Sequence, residues 1–214
     1  VKPLSKPNID TGMGLERAMV VINGLSSVYD YGVLKNAIDL IESRAGVKYL
    51  ESEKSKRSYR IIADHIRSAL FILGDERGVV PSNVGQGYIL RRLIRRAVNC
   101  ARDIKLDTKY FSNLIDIYVD RHGEDYADIK KNREFAKTEL QKEVEKFSKA
   151  LEEGHKEFDK AIAGIEKHKE FALKNGEIVP SVISGKACFR LYDTFGFPFE
   201  LTKELAKEIG FSVD

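Results

Sequence analysis

The sequence has few cysteines and no long apolar run. Cys100 and Cys188 are the only two cysteines among 214 residues, and neither has a Cys-x-x-Cys partner. This spacing argues against a disulfide framework or a zinc site and fits a reducing, cytosolic setting. No apolar run reaches the roughly 20 residues that span a bilayer, and the basic N-terminus lacks the apolar core of a signal peptide. We therefore expect a cytoplasmic protein without a membrane partner or a metal site.

A charge excess of one sign is lacking too. The chain carries 36 Lys and Arg against 33 Asp and Glu, which gives a net charge of +3. So small an excess does not by itself indicate nucleic-acid binding. The positions of the charges along the chain are more informative on this point than their sum. The length allows one large domain or two small ones.

Strand patterns are scarce, and most apolar residues recur at helical spacing. This periodicity predicts a mainly α fold. The predicted helices cover residues 18–24, 33–44, 59–73, 88–102 and 200–209. The predicted loops and turns cover residues 51–58, 75–87, 176–185 and 193–198.

Residues 124–175 are dense in Lys and Glu and contain no proline. Their apolar residues fall three and four apart, which predicts one long amphipathic helix, or two helices broken near Gly154 or Gly164. A coiled coil that self-associates through residues 140–165 is an alternative.

Two clusters indicate chemistry. Gly12, Gly14 and Arg17 precede an apolar helical pattern, and glycines beside an arginine at a helix N-terminus suit phosphate binding. The helix 88–102 carries four arginines on one broad face: Arg91, Arg92, Arg95 and Arg96. Like charges four apart repel each other, so a polyanion partner would explain them. Salt bridges to Asp64, Asp75, Glu76 or the long charged helix are the structural alternative.

Several blocks resemble one enzyme family. Gly-Met-Gly-Leu-Glu-Arg at 12–17 resembles motif 3 of the class II aminoacyl-tRNA synthetases, and with Asp10-Thr11 it resembles the alanyl-tRNA synthetase version. Residues 60–68, 81–83, 87–97 and 191–198 resemble the helical tRNA-recognition domain of that family. The resemblance implies a remnant of the catalytic domain at 1–45, a tRNA-recognition domain at 46–214, and a chain that is part of a longer protein.

The resemblance also implies roles for residues of the N-terminal motif. Asp10 matches the carboxylate that holds the ammonium group of alanine, and Gly12 matches a position lining the pocket for the alanine side chain. Gly14 belongs to the same ATP-binding motif. Arg17 matches the motif 3 arginine that contacts the ATP phosphates and stabilises charge during adenylate formation.

Two further residues match positions that contact tRNA. Asn83 and Asp193 match the pair that recognises a G·U base pair in the acceptor stem of alanine tRNA. An amide and a carboxylate suit this task, because the wide minor groove of A-form RNA exposes the amine of G. On local pattern alone, each residue would serve a turn.

The family implies a two-step reaction, in which alanine is activated with ATP and Mg²⁺ and then transferred to its tRNA. The partners expected from it are the tRNA(Ala) acceptor stem, ATP and alanine. A free-standing RNA-binding module and a coiled-coil interaction protein are the alternatives from other classes. Asp10, Gly12 and Arg17 favour the enzyme, since a module that binds only RNA would not need them.

We expect these 214 residues alone to form no alanyl-adenylate, because regions resembling motifs 1 and 2 are missing from them. ATP–pyrophosphate exchange with alanine measures this step directly. The expected rate equals the background without protein, and a full-length synthetase of the family serves as the positive control. Exchange above background would contradict the prediction.

Overall fold

Helices account for most of the computed structural model, which describes residues 5–6, 8–9 and 11–214. The predicted mainly α fold is confirmed. The helices are α1 (Leu15–Ile22), α2 (Gly32–Glu42), α3 (Glu53–Gly74), α4 (Gly85–Asp103), α5 (Phe111–His122), α6 (Ala127–Lys131), α7 (Arg133–Lys174), α8 (Gly185–Phe195) and α9 (Phe199–Glu208). Two short strands, β1 (Val182–Ile183) and β2 (Ser212–Val213), pair in parallel.

The core forms where α3 and α4 pack along each other and against α7. Its largest fully buried side chains are aromatic: Tyr59, Tyr118, Phe111, Phe147 and Phe197. Burying one large apolar side chain stabilises the fold by about 1.5–3 kcal/mol. Helix α2 packs against α3 and α5 in the same core. It precedes the predicted domain boundary at 45/46, yet it shares one hydrophobic core with the helices that follow that boundary. That boundary stays a prediction.

The predicted loop at 51–58 was wrong over most of its length, because α3 begins at Glu53. The Ser52 hydroxyl accepts a hydrogen bond from the Ser55 amide at 3.0 Å, and the Ser55 hydroxyl accepts one from the Ser52 amide at 2.9 Å. This reciprocal cap satisfies two amide groups at the helix start. The first turns of α3 are polar, so apolar spacing alone does not predict a helix there.

Helix α7 is continuous from Arg133 to Lys174, without the break considered at Gly154 or Gly164. Gly154 instead provides room, since a Cβ there would lie 2.6 Å from Cδ2 of Phe197. The apolar seam proposed for a coiled coil lies inside the chain's own core: Leu140, Val144, Phe147, Leu151, Phe158 and Ile162 are all buried. It therefore packs on this chain's other helices, and self-association through residues 140–165 stays a hypothesis.

The predicted turn at 193–198 was wrong for its first half. Residues 193–195 form the last turn of α8, and the chain reverses at Gly196, which has a φ of 60°. Ser184 caps the start of α8 by accepting a hydrogen bond from the Ala187 amide. In the part of the chain that the structure describes, no helix is long and apolar enough to cross a membrane.

Two glycines of α7 give a matched test of this packing. Gly154→Ala should lower the free energy of unfolding by about 1–3 kcal/mol, the usual cost of overpacking, because its methyl group meets Phe197. Gly164→Ala meets no described atom within 4 Å and should raise stability by about 0.5–1 kcal/mol. Urea unfolding followed by circular dichroism measures both variants, and equal effects would contradict this account of Gly154.

Candidate nucleic-acid interface

Asn83 lies in the loop between α3 and α4, which folds onto the first turn of α4. The Ser82 amide donates to the Gly87 carbonyl at 3.1 Å, and the Ser82 hydroxyl donates to the Val84 carbonyl at 2.9 Å. A Cβ at Gly87 would lie 2.3 Å from the Ser82 hydroxyl. The absence of a side chain at Gly87 therefore lets the loop close, and the closed loop leaves Asn83 exposed at its tip.

Asp193 is exposed in the last turn of α8, three residues before the reversal at Gly196. The structure brings Asp193 and Asn83 to one cavity of about 360 Å³, which we call the Asn83–Asp193 cavity. Its lining residues come from α4, α8 and the two adjacent loops: Asn83, Tyr88, Arg91, Arg92, Arg95, Tyr192, Asp193, Gly196 and Pro198. Three of the sequence blocks that resemble the family, at 81–83, 87–97 and 191–198, thus meet at one place.

Helix α4 contains five arginines. The four that form the predicted cluster are each paired with a carboxylate: Arg91, Arg92, Arg95 and Arg96. Glu143 of α7 accepts from Arg95 at 2.7 Å and from Arg91 at 3.2 Å. Glu200 and Glu204 of α9 accept from Arg92 at 2.8 Å and from Arg96 at 2.6 Å, respectively. The salt bridges to the long helix that the sequence left open are present, and α9 adds partners that the sequence did not indicate.

Arg95 does not face solvent, because only 7% of its surface is exposed. Its Nη1 donates to the Gly196 carbonyl, and its guanidinium lies 4.8 Å from the centre of the Phe147 ring. Burial lowers the pKa of Arg95 from its ordinary value, while Glu143 opposes the shift. Arg95 therefore joins α4, α7 and the turn after α8.

Arg92 and Arg96 are more exposed, with 46% and 37% of their side chains accessible. Their carboxylate partners on α9 are also partly exposed. Ion pairs this accessible are weak, typically about 0–1 kcal/mol. Separating Arg92 or Arg96 from its glutamate should therefore cost the fold little free energy.

The N-terminal motif lies at the start of α1. Gly14 is the residue before the helix, and a Cβ there would lie 3.3 Å from Cδ of Arg17. Arg17 and Gly12 are exposed. Apart from Gly12 and its two chain neighbours, no residue of the described part of the chain has an atom within 4 Å of a Cβ built on Gly12. Asp10 lies outside the described residues.

Helix α1 is tied to α3 by an ion pair that the sequence analysis missed. The Arg67 guanidinium donates to Glu16 at 2.7 Å. A backbone hydrogen bond and then this contact lower the pKa of Glu16. Within residues 5–6, 8–9 and 11–214, no group of three or more His, Cys, Asp or Glu side chains could hold a metal ion.

Comparison with known proteins identifies the family. The family model described as tRNA synthetases class II (A) matches residues 1–214. The chain belongs to this class II tRNA synthetase family. Among curated relatives, the alanine–tRNA ligase of Borrelia hermsii is 42% identical over 211 residues, which are 99% of this chain and 33% of that protein. Those of Treponema pallidum and Leptospira biflexa are 39% and 40% identical, over 34% and 22% of their lengths. The chain thus spans about a third of these relatives or less.

A buried histidine, His155, lies between α4 and the segment that follows α8. His155 of α7 stacks edge-on against Phe197 with ring centres 5.4 Å apart. Its Nε2 lies 3.0 Å from both Asn99 Oδ1 and Arg102 Nη1. Burial, and then the charge of Arg102, lower the pKa of His155 from 6.5 to about 4. The neutral imidazole is the form that the fold accommodates.

This histidine should make stability depend on pH. Because its pKa is lower in the folded chain, the unfolded chain takes up the proton first, so its contribution is present above pH 6.5 and is lost as the pH falls toward 4. His155→Gln should therefore show a smaller loss of stability over this range than the wild type. The exposed His168 of the same helix provides the control, since His168→Gln should keep the wild-type slope. Parallel curves for all three proteins in urea unfolding would contradict the prediction.

Proposed function

We propose that this chain is the acceptor-stem-reading part of an alanine–tRNA ligase and contributes part of its adenylate site. Within that enzyme, alanine is activated with ATP and transferred to tRNA(Ala) in the cytoplasm. The observation that carries the proposal is the Asn83–Asp193 cavity, where two residues far apart in the sequence line one opening between α4 and α8. The relatives named alanine–tRNA ligase, which match nearly all of the chain, support the choice of reaction.

The chemistry of the cavity suits the minor groove of a G·U pair. The carboxylate of Asp193 has only acceptors, and the exocyclic amine of G is a donor in the minor groove. The amide of Asn83 can complement a neighbouring group. The minor groove of A-form RNA is wide and shallow, so short exposed side chains such as those of Asn83 and Asp193 can reach the base edges.

Arg92 and Arg96 supply the phosphate contacts in this proposal. Arg92 lines the cavity, and Arg96 follows it one helical turn along α4. Both are partly exposed and pair with accessible glutamates. Arginine binds phosphate through two parallel hydrogen bonds. Arg91 and Arg95 support the site from within, because their guanidinium groups are largely enclosed by the fold.

The adenylate part of the proposal depends on the N-terminal motif. Arg17 is an exposed cation at the start of α1, and Gly14 leaves the backbone free beside it. This arrangement fits the phosphates of ATP, with Mg²⁺ as the ion that accompanies them. Asp10 and Gly12 are assigned to alanine.

Binding to two hairpins tests the tRNA proposal. One hairpin carries the acceptor stem of alanine tRNA with its G·U pair, and the other has G·C at that place; we call them the G·U hairpin and the G·C hairpin. The wild-type chain should prefer the G·U hairpin about tenfold, equivalent to about 1.4 kcal/mol. Asn83→Ala and Asp193→Ala should each abolish most of this preference, because each removes a group that contacts the base pair.

The control is Asn113→Ala, which changes an exposed asparagine on α5 outside the cavity. It should keep the wild-type preference in fluorescence anisotropy titrations at one fixed salt concentration. Equal affinity of the wild type for both hairpins would overturn the assignment of Asn83 and Asp193. It would leave the arginines as contacts to phosphate alone.

A further inference from the structure

The amide of Asn83 is held from behind by Arg91. Nη1 of Arg91 donates a hydrogen bond to Oδ1 of Asn83, while Nε of the same guanidinium donates to Glu143 at 3.2 Å. Only 18% of the Arg91 side chain and 8% of the Glu143 side chain are exposed. A chain of three side chains therefore runs from the interior of the fold to the tip of the loop.

This contact decides which end of the amide is used. A guanidinium has donors and no acceptor, so only the oxygen of the Asn83 amide can meet it. The NH₂ group lies on the other side of the planar amide, away from Arg91. Asn83 is exposed and lines the cavity, so its NH₂ group, which does not contact Arg91, is available to a ligand as a hydrogen-bond donor.

We propose that Arg91, anchored on Glu143, is a positioning residue that fixes Asn83 as a hydrogen-bond donor toward the RNA. This inference rests on the function proposed above and adds the direction of the hydrogen bond. Asp193 accepts and Asn83 donates, so the cavity matches a donor beside an acceptor. In the minor groove of a G·U pair these are the amine of G and O2 of U. A G·C pair engages the same amine in its own pairing, whereas the wobble geometry leaves it without a partner in the pair and free to donate to Asp193. Without Arg91 the amide is free to rotate, and either end then meets the RNA.

Asn83→Asp tests the direction of the hydrogen bond. The aspartate keeps an oxygen for Arg91 and has the same shape, but it replaces the NH₂ group with a second acceptor. The preference for the G·U hairpin should fall about fivefold, the equivalent of one hydrogen bond of about 1 kcal/mol. The added negative charge weakens binding to both hairpins alike, so it cancels from their ratio. A preference that survives in this variant would overturn the inference.

Arg91→Met and Arg92→Met form the matched pair for the positioning role. Both remove one arginine from α4 beside the cavity, but only Arg91 contacts Asn83. Arg91→Met should reduce the preference for the G·U hairpin, whereas Arg92→Met should weaken binding to both hairpins and leave their ratio unchanged. A reduced ratio in both variants, or in neither, would contradict a specific role for Arg91.

The side-chain NH₂ signals of Asn83 in ¹H–¹⁵N NMR spectra test the geometry without RNA. They should shift in Arg91→Met and stay in place in Arg92→Met, since the hydrogen bond to Oδ1 polarises the amide. Unchanged signals in Arg91→Met would overturn the inference even if the G·U preference of the wild type is found. Conversely, a wild type without that preference would overturn the proposed function, and with it the role of Arg91 toward RNA.

Discussion

The ion pairs of Glu143 with Arg95 and Arg91 are the constraint on which the rest of this surface depends. A carboxylate and two guanidinium groups are taken largely out of water at the junction of α4 and α7. Each charge is costly to bury alone, and together they offset that cost only while their geometry is kept. Because Arg95 also binds the Gly196 carbonyl and Arg91 also binds Asn83, the two walls of the cavity share one anchor.

Much of the fold follows from apolar spacing. The helices that match their prediction closely, such as α4 and α9, expose one polar face and bury one apolar face, and that periodicity is visible in the sequence. The start of α3 was missed because its first turns are polar and are stabilised by the Ser52–Ser55 cap. No helix was predicted over the residues of α8. Its end was assigned to a turn because Gly and Pro at 196–198 indicate a turn without fixing where it starts.

The site was predictable only in part, because its geometry depends on contacts between distant segments. The sequence identified Asn83, Asp193 and the arginines as candidates through their resemblance to a family. Nothing in it paired Arg95 with a carboxylate 48 residues later on another helix. The repulsion among arginines spaced four apart did indicate that negative groups lie near them. It could not show whether these groups belong to a bound phosphate or to glutamates of the chain, and in the structure each of the four arginines pairs with a glutamate.

Helix α7 also restricts how the sequence of this region can change in length. Glu143 and Gly154 are separated by about three helical turns, so they lie on the same side of the rod. Glu143 accepts hydrogen bonds from Arg91 and Arg95, and Gly154 leaves space for the Phe197 ring. A single inserted or deleted residue between them would rotate one anchor by about 100° relative to the other. An exposed side chain in this stretch can therefore be exchanged without disturbing either contact, whereas keeping both contacts requires an unchanged number of residues between Glu143 and Gly154.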